Sequence, residues 1–150
     1  MRWPLTFYVS GRPLKKGQAG VTIGPLIFIR TGYEADAGLY EHELTHVKQS
    51  AAFAFAGAIL GMVAAGRFPQ FQNWPVLWGA LAGLAAAGLA YCFVRRYRLF
   101  AEAQAYARQM RYPDKDGVNM TLDTGAYRLA LPTYRLGLSV SEAKAAILKY

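Results

Sequence analysis

The hydrophobic and polar positions divide the chain into short β-type runs, two long uncharged stretches and a mixed C-terminal region. Residues 5–9, 21–23 and 26–29 form short aromatic or β-branched runs separated by glycine and proline turns. This pattern predicts a small antiparallel sheet over residues 5–30. Because a two-stranded hairpin alone is only marginally stable, we expect the sheet to pack on a helix.

Two uncharged apolar stretches, residues 49–66 and 76–94, occupy the middle of the chain. Asp36 is a suitable N-cap for a helix that continues into the first stretch. Good helix formers follow the second stretch, so its helix is expected to continue without a break to about residue 110. The pattern therefore predicts a long antiparallel helical hairpin whose apolar part covers residues 49–94.

The surroundings of this hairpin have two interpretations. Each stretch is near the length of about 20 residues that spans a bilayer. Gly57 and Gly61 on one helix, and Gly79 and Gly83 on the other, repeat at a spacing that lets helices approach closely in lipid. These features favour a membrane hairpin. The alternative is a tightly packed helical hairpin buried in a soluble domain or oligomer.

The C-terminal region predicts short helices. Residues 121–131 have helical character and are stopped by Pro132, and Ser139 with Glu142 forms the capping box that opens a last helix. With the sheet and the hairpin, this gives an α+β fold: a small N-terminal antiparallel sheet packed on a long helical hairpin, with short C-terminal helices. We expect one domain over residues 1–150.

The distribution of charge predicts how the hairpin would be oriented in a membrane. The net charge is +8, with 54% hydrophobic and 17% charged residues, and only Arg67 among the 17 lysines and arginines lies between the two stretches. By the positive-inside rule, both termini would face the cytoplasm from the cytoplasmic membrane, with anionic lipid as a partner. A soluble cytoplasmic protein is the alternative. The basic residues are scattered and no nucleic-acid motif is present, so we expect no nucleic-acid partner.

Two further features bear on the compartment. Cys92 is the sole cysteine and lies in an apolar run, where we expect a small buried hydrophobe rather than half of a disulfide. No secretory signal is expected at the N-terminus.

The candidate chemistry lies just before the first apolar stretch. The chain has only two histidines, His42 and His46, and with Glu43 they form the pattern His-Glu-x-x-His. Residues four apart share one helix face, so both imidazoles can reach one zinc ion. Glu43 is suited to act as the general base on a water at the metal. The alternative is a surface helix with two chance histidines.

A catalytic zinc usually has a third protein ligand, and the sequence leaves carboxylates as candidates. Glu102 is favoured by the hairpin geometry, because its distance from the tip differs from that of His42 by only about 6 Å along the helix. A small kink or an unequal tip would absorb this difference. The alternative for Glu102 is a solvated carboxylate paired with Arg98 or Tyr106. The other carboxylates precede the helix, point away from the histidines or lie in loops and caps.

The motif His42-Glu43-x-x-His46, followed by Glu102-Ala103-x-Ala105, resembles the gluzincin metallopeptidases, including small bacterial and phage-related zincin-like proteins. The resemblance covers about residues 20–110 and is strong only at the motif. It implies a single zincin-like domain, one Zn²⁺ ion, His42, His46 and Glu102 as its ligands, and Glu43 as the catalytic base. By analogy with zincins, residues 26–30 would pair with the substrate backbone, and Tyr106 or Tyr40 would stabilise the oxyanion.

The expected function is zinc-dependent hydrolysis of peptide bonds in a peptide or protein substrate. Two alternatives stay open. One is a non-catalytic, zinc-stabilised binding or structural protein, associated with a membrane or not. The other is a small membrane protein in which the motif is accidental. The sequence carries no signal for the substrate's identity or for the oligomeric state.

Overall fold

The computed structural model describes residues 4–67 and 73–150. Three strands come first and five helices follow, so the α+β class expected from the sequence is confirmed. The strands are β1 (Leu5–Val9), β2 (Gly20–Ile23) and β3 (Leu26–Arg30). The helices are α1 (Ala37–Ala65), α2 (Pro75–Phe93), α3 (Arg95–Gln109), α4 (Leu122–Leu129) and α5 (Val140–Ile147), with a single 3-10 turn at Pro132–Tyr134 between the last two.

The sheet differs from the expected antiparallel arrangement, because it is mixed. The strand order is β1-β3-β2, with β1 parallel and β2 antiparallel to β3. β3 alternates half-buried and buried positions, with Ile27 and Ile29 almost fully enclosed. Central pairing satisfies the backbone of this strand on both sides, and the ten-residue connection from β1 to β2 leaves room for β3 to enter between them.

One face of the sheet packs on the first half of α1. Ile27 and Ile29 of β3 form a core with Leu39 and Val47 of α1. The N-cap of α1 forms as expected, since Asp36 Oδ1 accepts a hydrogen bond from the backbone N–H of Leu39 at 2.7 Å. The sheet therefore packs against the first half of α1, which is the half that carries the two histidines.

A second core lies on the other side of that half of α1. It is formed by α3, α4, α5 and the segment before α5, and its buried members are Ala103, Tyr106, Ala107, Ala126, Leu129, Leu136, Ala143 and Ile147. The capping box at the start of α5 is present, with Ser139 and Glu142 each bonded to the other. Ala143 and Ile147 of this helix are buried in the core, whereas Val140 in its first turn is exposed.

The second half of α1 and α2 form the apolar hairpin, whose tip at residues 68–72 lies outside the described residues. The two helices touch through backbone at Gly57, Gly61, Gly79 and Gly83. A Cβ on any of these four glycines would overlap a carbonyl oxygen of the opposite helix. Glycine is required here because any side chain would separate the helices.

The outer surface of the hairpin is apolar and exposed. Its exposed side chains include Phe55, Leu60, Trp78, Leu89 and Phe93. Cys92, expected to be buried, is exposed on this surface as well. Both α1 and α2 are long and apolar enough to cross a membrane, a property they share with core helices of soluble proteins, which are mostly buried. In the most apolar 18-residue window of each helix only 11% is buried.

The second apolar helix does not continue without a break, contrary to the expectation. Val94 adopts an extended conformation (φ −99°, ψ 97°) between α2 and α3. The guanidinium group of Arg98 donates hydrogen bonds to the carbonyl oxygens of Tyr91 and Cys92, which satisfies acceptors at the end of α2. The break redirects α3 so that it packs against the first half of α1.

Candidate metal centre

Three side chains from two helices meet between the cores. His42 and His46 project from one face of α1, and Glu102 projects from α3. The Nε2 atoms of the two histidines lie 3.3 Å apart. Glu102 spans the pair, with Oε1 3.5 Å from Nε2 of His46 and Oε2 3.6 Å from Nε2 of His42. The structure therefore brings together the three residues expected as zinc ligands.

These separations can be compared with a tetrahedral zinc site. Ligand bonds of about 2.0–2.2 Å arranged tetrahedrally place neighbouring ligand atoms roughly 3.3–3.6 Å apart. The three observed distances, 3.3, 3.5 and 3.6 Å, lie in that range, with each histidine facing a different oxygen of Glu102. Oε2 of Glu102 is also buried with no hydrogen-bond partner among the described residues. A buried carboxylate oxygen in this state is suited to a cation, so the donor set fits zinc.

The charges within the cluster are strongly coupled. Burial alone lowers the pKa of His42, but the carboxylate of Glu102, 3.6 Å away, outweighs this, so the pKa of His42 is raised. Burial alone raises the pKa of Glu102, but the neighbouring His46 and His42 outweigh it, so the pKa of Glu102 is lowered. Both shifts favour the charged forms of the two groups, because each charge stabilises the other.

Glu43 is buried and is held by strand β2. Its Oε2 accepts a hydrogen bond from Thr22 Oγ1 at 2.7 Å. A Cβ on Gly20 would lie only 2.7 Å from Oε1 of Glu43, so the carboxylate occupies space that a larger residue would take. The charge of Glu43 also contributes to raising the pKa of His42, consistent with a position beside the histidines. Neither Gly20 nor Thr22 was suggested by the sequence pattern.

Tyrosine side chains surround the cluster, and one of them contacts a candidate ligand directly. The hydroxyl of Tyr91, in the last turn of α2, donates to Oε1 of Glu102 at 2.5 Å. The ring of Tyr106 packs edge-on against the His42 ring at 4.8 Å, and its hydroxyl pairs with that of Tyr134 at 2.7 Å. Burial raises the pKa of Tyr106 to about 12, so it stays protonated at neutral pH.

The two tyrosines expected near a substrate carbonyl are therefore in different surroundings. Tyr106 is beside the cluster, but its hydroxyl is engaged with Tyr134. Tyr40 packs against the core formed by the sheet and α1. The contact from Tyr91 was missed because the sequence pattern suggests only an aromatic residue at the end of an apolar helix. Eleven residues on one continuous helix would lie about 16 Å apart, so only the break at Val94 brings Tyr91 to Glu102.

Comparison with known proteins adds no relative. No protein-family model, no curated protein and no solved structure matches this chain.

Proposed function

We propose that this protein is a zinc-dependent peptidase of the gluzincin type. The observation that carries the proposal is that Nε2 of His42 and Nε2 of His46 lie 3.3 Å apart, and that each lies 3.5–3.6 Å from an oxygen of the Glu102 carboxylate. Two imidazoles and one glutamate form a donor set used by catalytic zinc sites. The resemblance of the motif to gluzincins supports the same conclusion.

Zinc bound by these residues would polarise a substrate carbonyl and acidify a water molecule. The chain itself contributes Glu43 as the general base. Thr22 holds Oε2 of Glu43. The other oxygen, Oε1, is left to take a proton from water and pass it to the leaving amine. Gly20 makes room for this oxygen, because a Cβ at that position would lie 2.7 Å from it.

The substrate would bind along the edge of strand β2. The analogy with zincins suggested residues 26–30, but this strand is β3, whose backbone is paired on both sides. β2 is an edge strand and contacts Glu43 through Thr22. An extended peptide can add to a free edge through main-chain hydrogen bonds. We therefore propose residues 20–23 as the substrate-binding strand.

We further propose that the hairpin lies in the cytoplasmic membrane and that the metal site faces the cytoplasm. The exposed apolar surface of α1 and α2 and the concentration of positive charge outside the hairpin support this orientation. A soluble cytoplasmic protein would need a second protein surface to cover the same residues.

One observation favours a non-catalytic alternative. The side chains of His42 and Glu102 are only 8% and 3% exposed, and that of His46 is 16% exposed. Structural metal sites are typically this buried, and in them a fourth protein ligand takes the place of the water that a catalytic site binds. The distinction depends on whether Glu43 is needed for turnover.

The experiment compares amide variants of two neighbouring glutamates. The full chain is purified in detergent, its zinc content is measured by mass spectrometry, and cleavage of a peptide library is followed with and without a chelator. Glu43→Gln should retain zinc and lose about 10²–10⁴-fold in cleavage rate, because the base is removed. His46→Ala should lose stoichiometric zinc and all cleavage.

Glu41→Gln is the matched control. Glu41 lies on the same helix but forms an ion pair with Arg108 at 3.0 Å, away from the cluster. This variant should retain both zinc and cleavage. Wild-type protein without zinc, or unchanged cleavage in Glu43→Gln, would contradict the proposed peptidase. Zinc without any cleavage would favour the structural alternative.

A further inference from the structure

A polar chain extends from His46 across the interface of α1 and α3. Nδ1 of His46 lies 3.0 Å from Oε1 of Gln49, one helical turn further along α1. The Nε2 amide group of Gln49 donates to Oε1 of Gln104 at 2.8 Å and to the backbone carbonyl of Ala101 at 3.3 Å. Ala101 and Gln104 flank Glu102 on α3. Gln49 therefore contacts the candidate ligand His46 on α1 and also contacts α3, the helix that supplies Glu102.

The contacts of Gln49 determine the orientation of its amide. The carbonyl oxygen of Ala101 can only accept a hydrogen bond, so the NH₂ group of Gln49 must face it. The oxygen Oε1 of Gln49 then faces His46 and must receive a proton from Nδ1. This argument does not depend on Gln104, whose own amide can be turned either way.

From this geometry we infer that Gln49 is a positioning residue that holds His46 in the tautomer with its proton on Nδ1 and its lone pair on Nε2. Nε2 is the atom that faces Nε2 of His42 and the carboxylate of Glu102. His46 is therefore ready to bind a metal through Nε2 before any metal arrives. A partner at the second ring nitrogen both orients a histidine ligand and makes it more basic.

His42 lacks this arrangement. Its Nδ1 is buried, and no described residue forms a hydrogen bond with it. With Nε2 of His46 bare, the 3.3 Å contact between the rings requires the proton of His42 to be on its own Nε2. His42 must therefore lose or move that proton when a metal binds, whereas His46 does not.

The first test reads the tautomers in the metal-free protein. Because the chain has only two histidines, selective ¹⁵N labelling gives a spectrum of two rings. At alkaline pH in detergent, His46 should show a protonated Nδ1 and a bare Nε2, and His42 the opposite. His46→Ala assigns the two rings. A proton on Nε2 of His46, or rapid averaging between tautomers, would overturn the inference.

The second test measures zinc affinity by competition with a chelator. Gln49→Leu removes the acceptor at similar volume and should weaken zinc binding about 10–100-fold. Gln49→Glu keeps an acceptor for Nδ1 but loses the donor to Ala101, so its zinc affinity should fall less than that of Gln49→Leu. Gln104→Leu is the matched control: Ala101 still orients Gln49, so affinity should change much less than in Gln49→Leu. Equal losses in all three variants would mean that the network only joins the helices, and the inference would fail.

The inference rests on the proposed zinc site, but its failure can be distinguished from failure of the proposed function. A protein that binds zinc without cleaving peptides leaves both tests intact. If wild-type protein binds no zinc, the proposed function fails and the tautomer spectrum alone decides the role of Gln49.

Discussion

Helix α1 is one continuous helix whose two halves have opposite surroundings. Its buried residues all lie between Gly38 and Val47, where the sheet packs on one side and α3 on the other. From Gln49 onward no described residue of the helix is buried, although nearly all of its side chains are apolar. The polar half is thus enclosed and the apolar half is exposed, the reverse of the usual rule for a protein in water.

The difference shows how each half is stabilised. In the first half, polar groups contact side chains from other elements: Glu43 contacts Thr22, and His42 and His46 contact Glu102. Such groups are costly to bury without partners, so that half depends on specific contacts. The second half contacts α2 through glycine backbone and presents apolar side chains outward. The stability of this half therefore depends on what covers its apolar side chains.

The largest expected effect comes from placing a charge on the exposed half. Phe55, 70% exposed and near the middle of the first apolar stretch, is changed to Arg, at a cost of about 2.5–3.5 kcal/mol if this surface lies in lipid. The carbonate-resistant membrane fraction should fall. The control is Leu148→Arg, at a residue 68% exposed outside the hairpin, which should change nothing. If the wild type is itself soluble without detergent, or Phe55→Arg leaves the carbonate-resistant fraction unchanged, the surface lies in water and the proposed membrane hairpin is wrong.

The next largest effect separates the two helices of the hairpin. Gly83→Ala places a methyl group against the carbonyl of Phe53, so the helices must move apart, at a cost of about 1–3 kcal/mol from overpacking. Gly88→Ala on the same helix meets nothing within 4 Å and serves as the control. Thermal unfolding in detergent should show a lower midpoint for the first variant only. Equal midpoints would contradict the backbone contact.

A smaller effect is expected at the other half, from a methyl group beside the candidate base. Gly20→Ala would push the carboxylate of Glu43 away from β2, because the new Cβ would lie 2.7 Å from Oε1. A displacement of about 1 Å can lower a rate up to about 10²-fold. Peptide cleavage should fall while zinc content and unfolding temperature stay close to wild type. Gly11→Ala, which meets nothing within 4 Å, is the control. Full activity in Gly20→Ala would argue against Glu43 as the base.

The smallest effect concerns pH. Metal binding requires deprotonated ligands. Burial opposes protonation of His42, but Glu102 outweighs it and raises the pKa of His42, so protons compete with zinc from above the usual value of 6.5. Zinc affinity should therefore fall as pH decreases through this raised pKa, by about tenfold per pH unit per proton displaced. Chelator competition from about pH 8.5 to 6 measures this. A flat profile would mean that His42 is not a ligand.

Most of the local structure was predictable because it depends on neighbouring residues. The three strands, the N-cap at Asp36, the capping box at Ser139 and the two glycine-spaced apolar helices are all visible as patterns of a few residues. The spacing of His42 and His46 on one helix face is equally local. The approach of Glu102 to the histidines followed from the assumption of a hairpin, but the sequence did not predict the break at Val94 that precedes α3.

What the sequence determined by itself was therefore the identity of the elements and the candidate donor atoms. Tertiary structure decided the rest: β3 at the centre of the sheet, the break at Val94 stabilised by Arg98, Gly20 and Thr22 around Glu43, and Gln49 and Tyr91 behind the ligands. These features depend on contacts between residues far apart in the chain. A helical or strand period constrains which face a residue lies on, but it carries no information about which distant element packs against that face.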